Sequence, residues 1–540
     1  LSAWLSDDFA LLPAQCGWYP IPGAAAGYPY ESPRPQNFAT AKIRVHAGKN
    51  LTIITQGEKI EENDEGTSFV VETPVPGFSL NIGDYKCLKR KFKQTQIEFY
   101  FRDKHLLDYG VFSDVADTCF QAVERVLDIF EEVAGVPYPY KKLALVEAPT
   151  QMQIYATRHG FDNIGLQPGV VMIDEVMIAA RRLKKRVEQR TKRMRRRGQD
   201  DSPARIKRDV FAETVLDFFM DDEYWHGDSS FRSLLRNYLN FQIDITDPVL
   251  ARAVEMQLFE ECERRAQDAF YPDRWNAHLS ANDRVRQLED DWVTRWRYGV
   301  EMDTVLAAFE KTPLAKLRPQ GEGNLYRACV DLKAPPVLKM LRERVGEKNY
   351  LAALQKLLQE YRYRQVNLTD FLNVVQSFSQ DDLSDFFSQW FEQATFPGYR
   401  ITAAEAEKLD TGKMRIVHQV KVRVQNGEKG DGFVRLICET ENDKIRRHLS
   451  LGSYEEKEIR FPVTEVPKSI QLIPYFARNR GEIMKQITLS NRIRRGAPVD
   501  TVFTTTSALS DSLSFVLDDQ DDGFFTPVSE EAKYLRPRSK

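Results

Sequence analysis

The sequence lacks the close cysteine pairs that mark small metal or redox sites. Its six cysteines (Cys16, Cys87, Cys119, Cys262, Cys329 and Cys438) are scattered over 540 residues. No CxxC spacing occurs, which excludes zinc-knuckle and thioredoxin-like chemistry. The seven histidines are equally dispersed, and none stands four residues from another. A zinc site built from two histidines on one helix face is therefore missing. No run of about 18 apolar residues occurs, so the sequence holds no membrane-spanning helix. An excess of one charge is absent too. The 76 Lys and Arg face 79 Asp and Glu, for a net charge of −3. Sequence-specific binding to nucleic acid is not expected of such a chain.

What remains is ordinary for a globular protein: 42% hydrophobic and 29% charged residues. The length suggests three or four domains with ample core. The first residue is Leu1 rather than Met. The sequence is expected to be a piece of a longer protein whose targeting lies elsewhere.

Along the chain the periodicity changes several times. Ala41 to His46, Thr52 to Thr55, Ser68 to Glu72 and Gln96 to Phe101 are short strand-like runs between Gly, Pro and Asn. Phe120, Val123, Leu127, Phe130 and Ala134 then recur at helical spacing, and Gly135 stops the helix. The connection Val136-Pro137-Tyr138-Pro139-Tyr140-Lys141-Lys142 precedes a strand, Leu143 to Glu147. Residues 230 to 395 are predicted to be mostly helical, with apolar stripes such as Tyr350, Leu351, Leu354, Leu357 and Leu358. After Pro397-Gly398 the period becomes two. Ile416, His418, Val420, Val422 and Val424 alternate with Arg415, Gln419, Lys421 and Arg423, and Asn426-Gly427 opens a turn. This predicts an all-β module of sandwich type, with His418 a packed residue rather than a ligand. Beyond about residue 500 the chain is rich in Thr, Ser and Asp. Asp518, Asp519, Asp521 and Asp522 lack the full spacing of a calcium loop.

Two stretches carry candidate function. The first is basic: Arg181, Arg182, Lys184, Lys185 and Arg186, then Arg193, Arg195, Arg196 and Arg197. An arm over residues 181–208 could bind an acidic partner or an anionic membrane surface. A solvated helix followed by a loop competes with that reading. The second is Val210-Phe211-Ala212-Glu213-Thr214-Val215-Leu216-Asp217-Phe218-Phe219, an apolar helix with Glu213 as its one internal charge before Asp217. A zinc hydrolase places His-Glu-x-x-His on such a helix, with the Glu polarising water.

The succession of these elements resembles the zinc aminopeptidases of the membrane alanyl aminopeptidase (gluzincin) family. It looks closest to the bacterial versions fused to transporter permeases. Phe78 to Tyr85 looks like the end of that family's saddle domain. Val136 to Lys142 looks like the entry into its thermolysin-like domain. Ala334 to Arg342 is similar to a downstream helix, and Trp390-Phe391-Glu392-Gln393 with Pro397-Gly398-Tyr399 is similar to that domain's close. The resemblance covers about residues 10 to 490. It implies a multidomain α+β fold: a partial N-terminal β saddle domain over 1–112 and a thermolysin-like, mainly helical domain over 113–400. A β-sandwich over 401–495 and a tail or further module over 496–540 complete it.

The family's chemistry does not carry over with its frame. The two zinc-binding His positions fall on Ala212 and Leu216, and the third ligand falls on Leu235, or Leu234 if the register slips. The oxyanion-stabilising Tyr falls on Asp331. The loop that holds a substrate's amine reads His159-Gly160-Phe161-Asp162-Asn163, leaving Asp162 and Asn163 as relics of a substrate site. Glu213 is the relic of the catalytic helix. No metal and no zinc cofactor are therefore expected.

The resemblance so modified predicts a catalytically inactive scaffold that binds a protein or peptide. Its parent would be a membrane transporter or membrane-associated assembly, on the extracytoplasmic side of a bacterial membrane. The alternative is a metallohydrolase with relocated ligands drawn from Glu213, Asp217, Asp221, Asp222, Glu223 and His226.

Overall fold

The computed structural model describes residues 4–6, 9–12, 18–19, 38–47, 51–102, 112–148, 166–174, 180–196, 302–317, 323–412, 416–477 and 482–505. It also describes isolated positions between 202 and 269. The chain divides into two compact units. One holds Leu1–His278 with Lys348–Phe378, the other Leu279–Glu347 with Ser379–Lys540.

The first unit is organised on a five-stranded sheet. Its spatial order is Leu166–Gln167, Val170–Asp174, Lys142–Ala148, Thr95–Arg102 and Tyr85–Phe92. Strand Lys142–Ala148 lies parallel to both of its neighbours. Leu143 to Ala148 are all buried, so over these residues neither face of the strand meets water. Alternation along the next strand shows what covers each face. Phe99 packs edge-on against Phe120, which belongs to the helix Phe112–Ala134. Tyr100 points the other way, into a cluster with Phe9, Leu11, Ile54, Val146 and Met172. Phe9, Leu11 and Ile54 come from a second, four-stranded sheet. Each of these side chains, fully buried, contributes about 1.5–3 kcal/mol. The helix ends at Gly135, whose φ of +70° is the left-handed turn a helix C-terminus favours.

In the second unit, two sheets close over one core. The first runs Thr488–Arg495, Tyr399–Asp410, Ile416–Asn426, Glu456–Val463 and Thr501–Thr505. The second runs Lys444–Leu451, Gly432–Glu439, Ser469–Ile473 and Met484–Gln486. Val420, Val422 and Val424 of one sheet share the core with Val434, Leu436 and Cys438 of the other. His418 is 5% exposed, and its two ring nitrogens find no hydrogen-bond partner among the described residues. Burial and the charge of Lys408 hold its imidazole below the usual range. The helix Gly323–Val345 belongs to this unit. Its Glu343 accepts hydrogen bonds from Arg435 and Tyr475 and pairs with His448 Nε2 at 2.7 Å.

The expected mainly helical, thermolysin-like domain is not what the structure shows. Strand exceeds helix among the described residues, about 41% against 33%, and it is spread over several small sheets. The mixed α+β character holds. The physical reason lies in pairing. The strands on either side of the helix Phe112–Ala134 join one sheet, with Leu143 opposite Ile97 and Val146 opposite Tyr100. Apolar periodicity records each segment's own faces but not that distant segments hydrogen-bond side by side.

Candidate functional site

The basic stretch is a helix, Ala180–Arg196. Val187, Arg190, Thr191 and Met194 recur at three- and four-residue spacing and are half-buried. The Thr191 hydroxyl donates to the Val187 carbonyl at 2.8 Å. The opposite face carries Lys185, Arg186, Lys192, Arg193, Arg195 and Arg196, all exposed. Arg193, Arg195 and Arg196 crowd the last turn, where the helix dipole favours positive charge. Side chains of Arg181, Arg182 and Lys184 and the whole of Arg197 lie outside the described residues. Beyond the helix, Ser202 Oγ accepts from the Arg205 backbone N–H at 3.3 Å, and Ile206 and Val210 are buried.

The relic cleft positions cannot be placed against this helix. Asp162, Asn163, Ala212, Glu213, Leu216 and Leu235 lie outside the described residues. So do Asp217, Asp221, Asp222, Glu223 and His226. Leu234 is helical and fully buried. Asp331 falls within the helix Gly323–Val345. Among the described residues, no three His, Cys, Asp or Glu side chains come together as metal ligands would. Among them also, no helix is long and apolar enough to cross a membrane.

The structure assembles a site in the first unit that sequence reasoning passed over. A cleft of about 440 Å³, open solvent included, is lined by Gly57, Val70, Glu72, Tyr140, Lys142 and Gly169 among others. Gly57 has φ +81°, and a side chain there would strike the Val70 carbonyl. Beside the cleft lies a buried polar network. Gln56 Nε2 donates to Ser79 Oγ at 2.7 Å and to the Pro168 carbonyl at 3.0 Å. Thr55 Oγ1 donates to the Ser79 carbonyl at 2.6 Å.

Two neighbouring lysines meet this cleft in opposite environments. Lys141 is exposed and bridges Glu72 at 2.8 Å and Glu58 at 3.0 Å. Those hydrogen bonds raise its pKa. Lys142 is half-buried, and its Nζ donates to the Thr55 carbonyl at 2.7 Å. Burial pushes its ammonium down to about 8. The charge of Lys89 adds to that, while Glu98, Cys87 and Glu58 oppose it. Both lysines stand in the Pro-Tyr-Pro-Tyr-Lys-Lys motif, but the motif alone carries no sign of the difference.

The second unit holds another perturbed lysine. Lys333 is 1% exposed, and its Nζ lies 5.1, 5.4 and 5.9 Å from the ring centroids of Phe396, Phe309 and Phe476. The three rings touch one another edge-on. Burial pushes this ammonium down to about 8 as well, opposed by Cys329 one turn earlier.

No protein family pattern matches the chain, and no curated protein matches it. Among solved structures, it is similar to aminopeptidase A of Legionella pneumophila in complex with aspartic acid, at 15% identity and a TM-score of 0.45. That alignment covers 91% of this chain and 48% of the other, so the chain spans about half the length of that protein.

Proposed function

We propose that the chain is a non-catalytic, aminopeptidase-related scaffold that docks a protein or peptide partner bearing acidic groups. One observation carries the reading: the exposed basic face of the helix Ala180–Arg196. Six cations on one solvated face set up a positive field that steers an acidic surface and weakens with salt. The helix's other face, with Val187, Arg190, Thr191 and Met194, is half-buried. It is therefore not free to sink into lipid as a membrane-lying amphipathic helix would. That favours an acidic protein surface over a bilayer.

The sequence supports the non-catalytic part. Ala212, Leu216 and Leu235 stand where the resembled family has its zinc ligands, and none can ligate. The gluzincin relationship rests on the motifs from Phe78 to Tyr399 and belongs to this proposal. So does a parent held at a membrane through segments outside the chain.

The test is binding of fluorescent polyglutamate, and separately of anionic phosphatidylglycerol vesicles, across a salt series. The comparison is a variant with Lys185, Arg186, Lys192, Arg193, Arg195 and Arg196 changed to Gln. Wild type should bind polyglutamate at low salt, and the variant should lose that binding. Equal binding by both overturns the reading. Vesicle binding without polyglutamate binding transfers it to a membrane surface. One equivalent of zinc with chelator-sensitive turnover of aminoacyl reporters removes the non-catalytic part.

A further inference from the structure

We propose that Lys142 is a nucleophilic lysine that condenses with a small, uncharged aldehyde entering the cleft between Gly57 and Gly169. The geometry meets three requirements of such a residue. Lys142 lines a cleft that is open to solvent. No carboxylate lies within ion-pair distance of its Nζ among the described residues, and its hydrogen bond runs to a backbone carbonyl, Thr55 O. A neutral amine can keep that bond as donor while its lone pair faces a reactant. Burial, finally, disfavours the ammonium form, as in other lysines that act as nucleophiles.

The charges around the site select the electrophile. The mouth carries Glu58, Glu72 and Lys141, two negative charges and one positive. Glu98 and Lys89 face Lys142 from the strands behind, with the thiol of Cys87. The mouth therefore repels an anionic reactant and admits a neutral one. Val70, Val71, Val75 and Pro168 make the walls apolar.

The chemistry balances without any other reactant. The amine lone pair attacks the carbonyl carbon, a C–N bond forms, and the oxygen takes up a proton as a carbinolamine. Loss of water, using the two protons from nitrogen, leaves an imine. No electrons are gained or lost.

Adjacent Lys141 is an internal control, since it shares the sequence context and differs in environment. The folded chain is treated with acetaldehyde and cyanoborohydride, and N-ethylation of each lysine is read by peptide mass spectrometry. Near pH 8 about half of Lys142 is neutral, whereas the hydrogen bonds to Glu72 and Glu58 hold Lys141 above the ordinary lysine range and so almost wholly protonated. With the lower nucleophilicity of a weaker base allowed for, Lys142 should label about tenfold faster. Its rate should rise through a midpoint near pH 8 and should fall when glyoxylate replaces acetaldehyde. The preference should vanish in urea, where both lysines lose their surroundings. Lys142 labelling no faster than Lys141 in the folded chain overturns the proposal. So does a preference that survives in urea.

Discussion

Lys333 Nζ sits 5.1 Å from the centre of the Phe396 ring, inside the second unit's core. The ring faces offset part of the cost of burying an ammonium. Burial still leaves it at about 8, below the 10.5 of a solvated lysine. The unfolded chain therefore holds more protons between those values. Stability should rise as pH climbs from about 8 towards 10.5, and the penalty is fully present below 8. Lys333→Met should raise stability at pH 7 by about 1–3 kcal/mol. Its advantage should shrink at alkaline pH. Urea unfolding of both proteins at pH 7 and pH 10 measures this, and a destabilised variant at pH 7 refutes it.

Glu458 gives the opposite pH signature. It is 6% exposed, and it accepts from Arg423 Nε at 2.9 Å and Arg460 Nη2 at 2.7 Å, with Lys421 Nζ at 3.3 Å. Burial alone would raise its pKa. The hydrogen bonds from Arg423, Arg460 and Lys421 more than offset that and hold it at about 2. The pair energy is present above about 4.5 and is lost as pH falls towards 2. Glu458→Gln should cost about 1–3 kcal/mol at neutral pH and much less near pH 2. Thermal melts over that range show whether the two curves converge.

Asn426, the last residue of the strand Ile416–Asn426, should be among the costliest polar positions to change. It is fully buried and joins three loops. Its Oδ1 accepts from the Gly398 N–H at 2.9 Å and the Glu428 N–H at 3.1 Å. Its Nδ2 donates to the carbonyls of Gly430 at 2.8 Å and Gly452 at 2.9 Å. Asn426→Ala leaves buried backbone groups without partners, a loss of about 2–4 kcal/mol in all. Asn426→Asp keeps the acceptor and loses both donors, so it should also destabilise. Chemical denaturation ranks the three proteins, and an Ala variant as stable as wild type removes the claim.

Gly57→Ala tests how tightly the Lys142 cleft is built. At φ +81° a methyl group is strained, and it would collide with the Val70 carbonyl, which is backbone and cannot swing aside. The expected loss is about 2 kcal/mol or more. The fast labelling of Lys142 should slow in parallel. An unchanged melting temperature would show that the backbone at Gly57 and Val70 is looser than the structure has it.

Much of the local structure was legible in the sequence. The runs at Thr52–Thr55 and Gln96–Phe101, the helix stop at Gly135 and the alternation from Ile416 to Val424 all follow from side-chain period and turn chemistry, which act over a few residues. The charge of the segment from Arg181 to Arg196 was equally plain. Which residues of that segment face solvent needed the helix's packing. Asn426-Gly427 looked like a simple turn, yet Asn426 is a buried cross-link between loops.

The sequence by itself determined several local elements and the helix stop at Gly135. Those depend on residue identity and near neighbours. Tertiary structure decided that Lys142–Ala148 joins Thr95–Arg102 in one sheet, which overturned the mainly helical domain. It also decided that Lys141 is ion-paired while Lys142 is half-buried with no carboxylate in ion-pair distance among the described residues, and that Lys333 is ringed by aromatics. Two adjacent lysines are the same chemical group in the unfolded chain. Only burial and partners brought from far along the sequence, such as Thr55, Glu58 and Glu72, make one a surface cation and the other a poised amine.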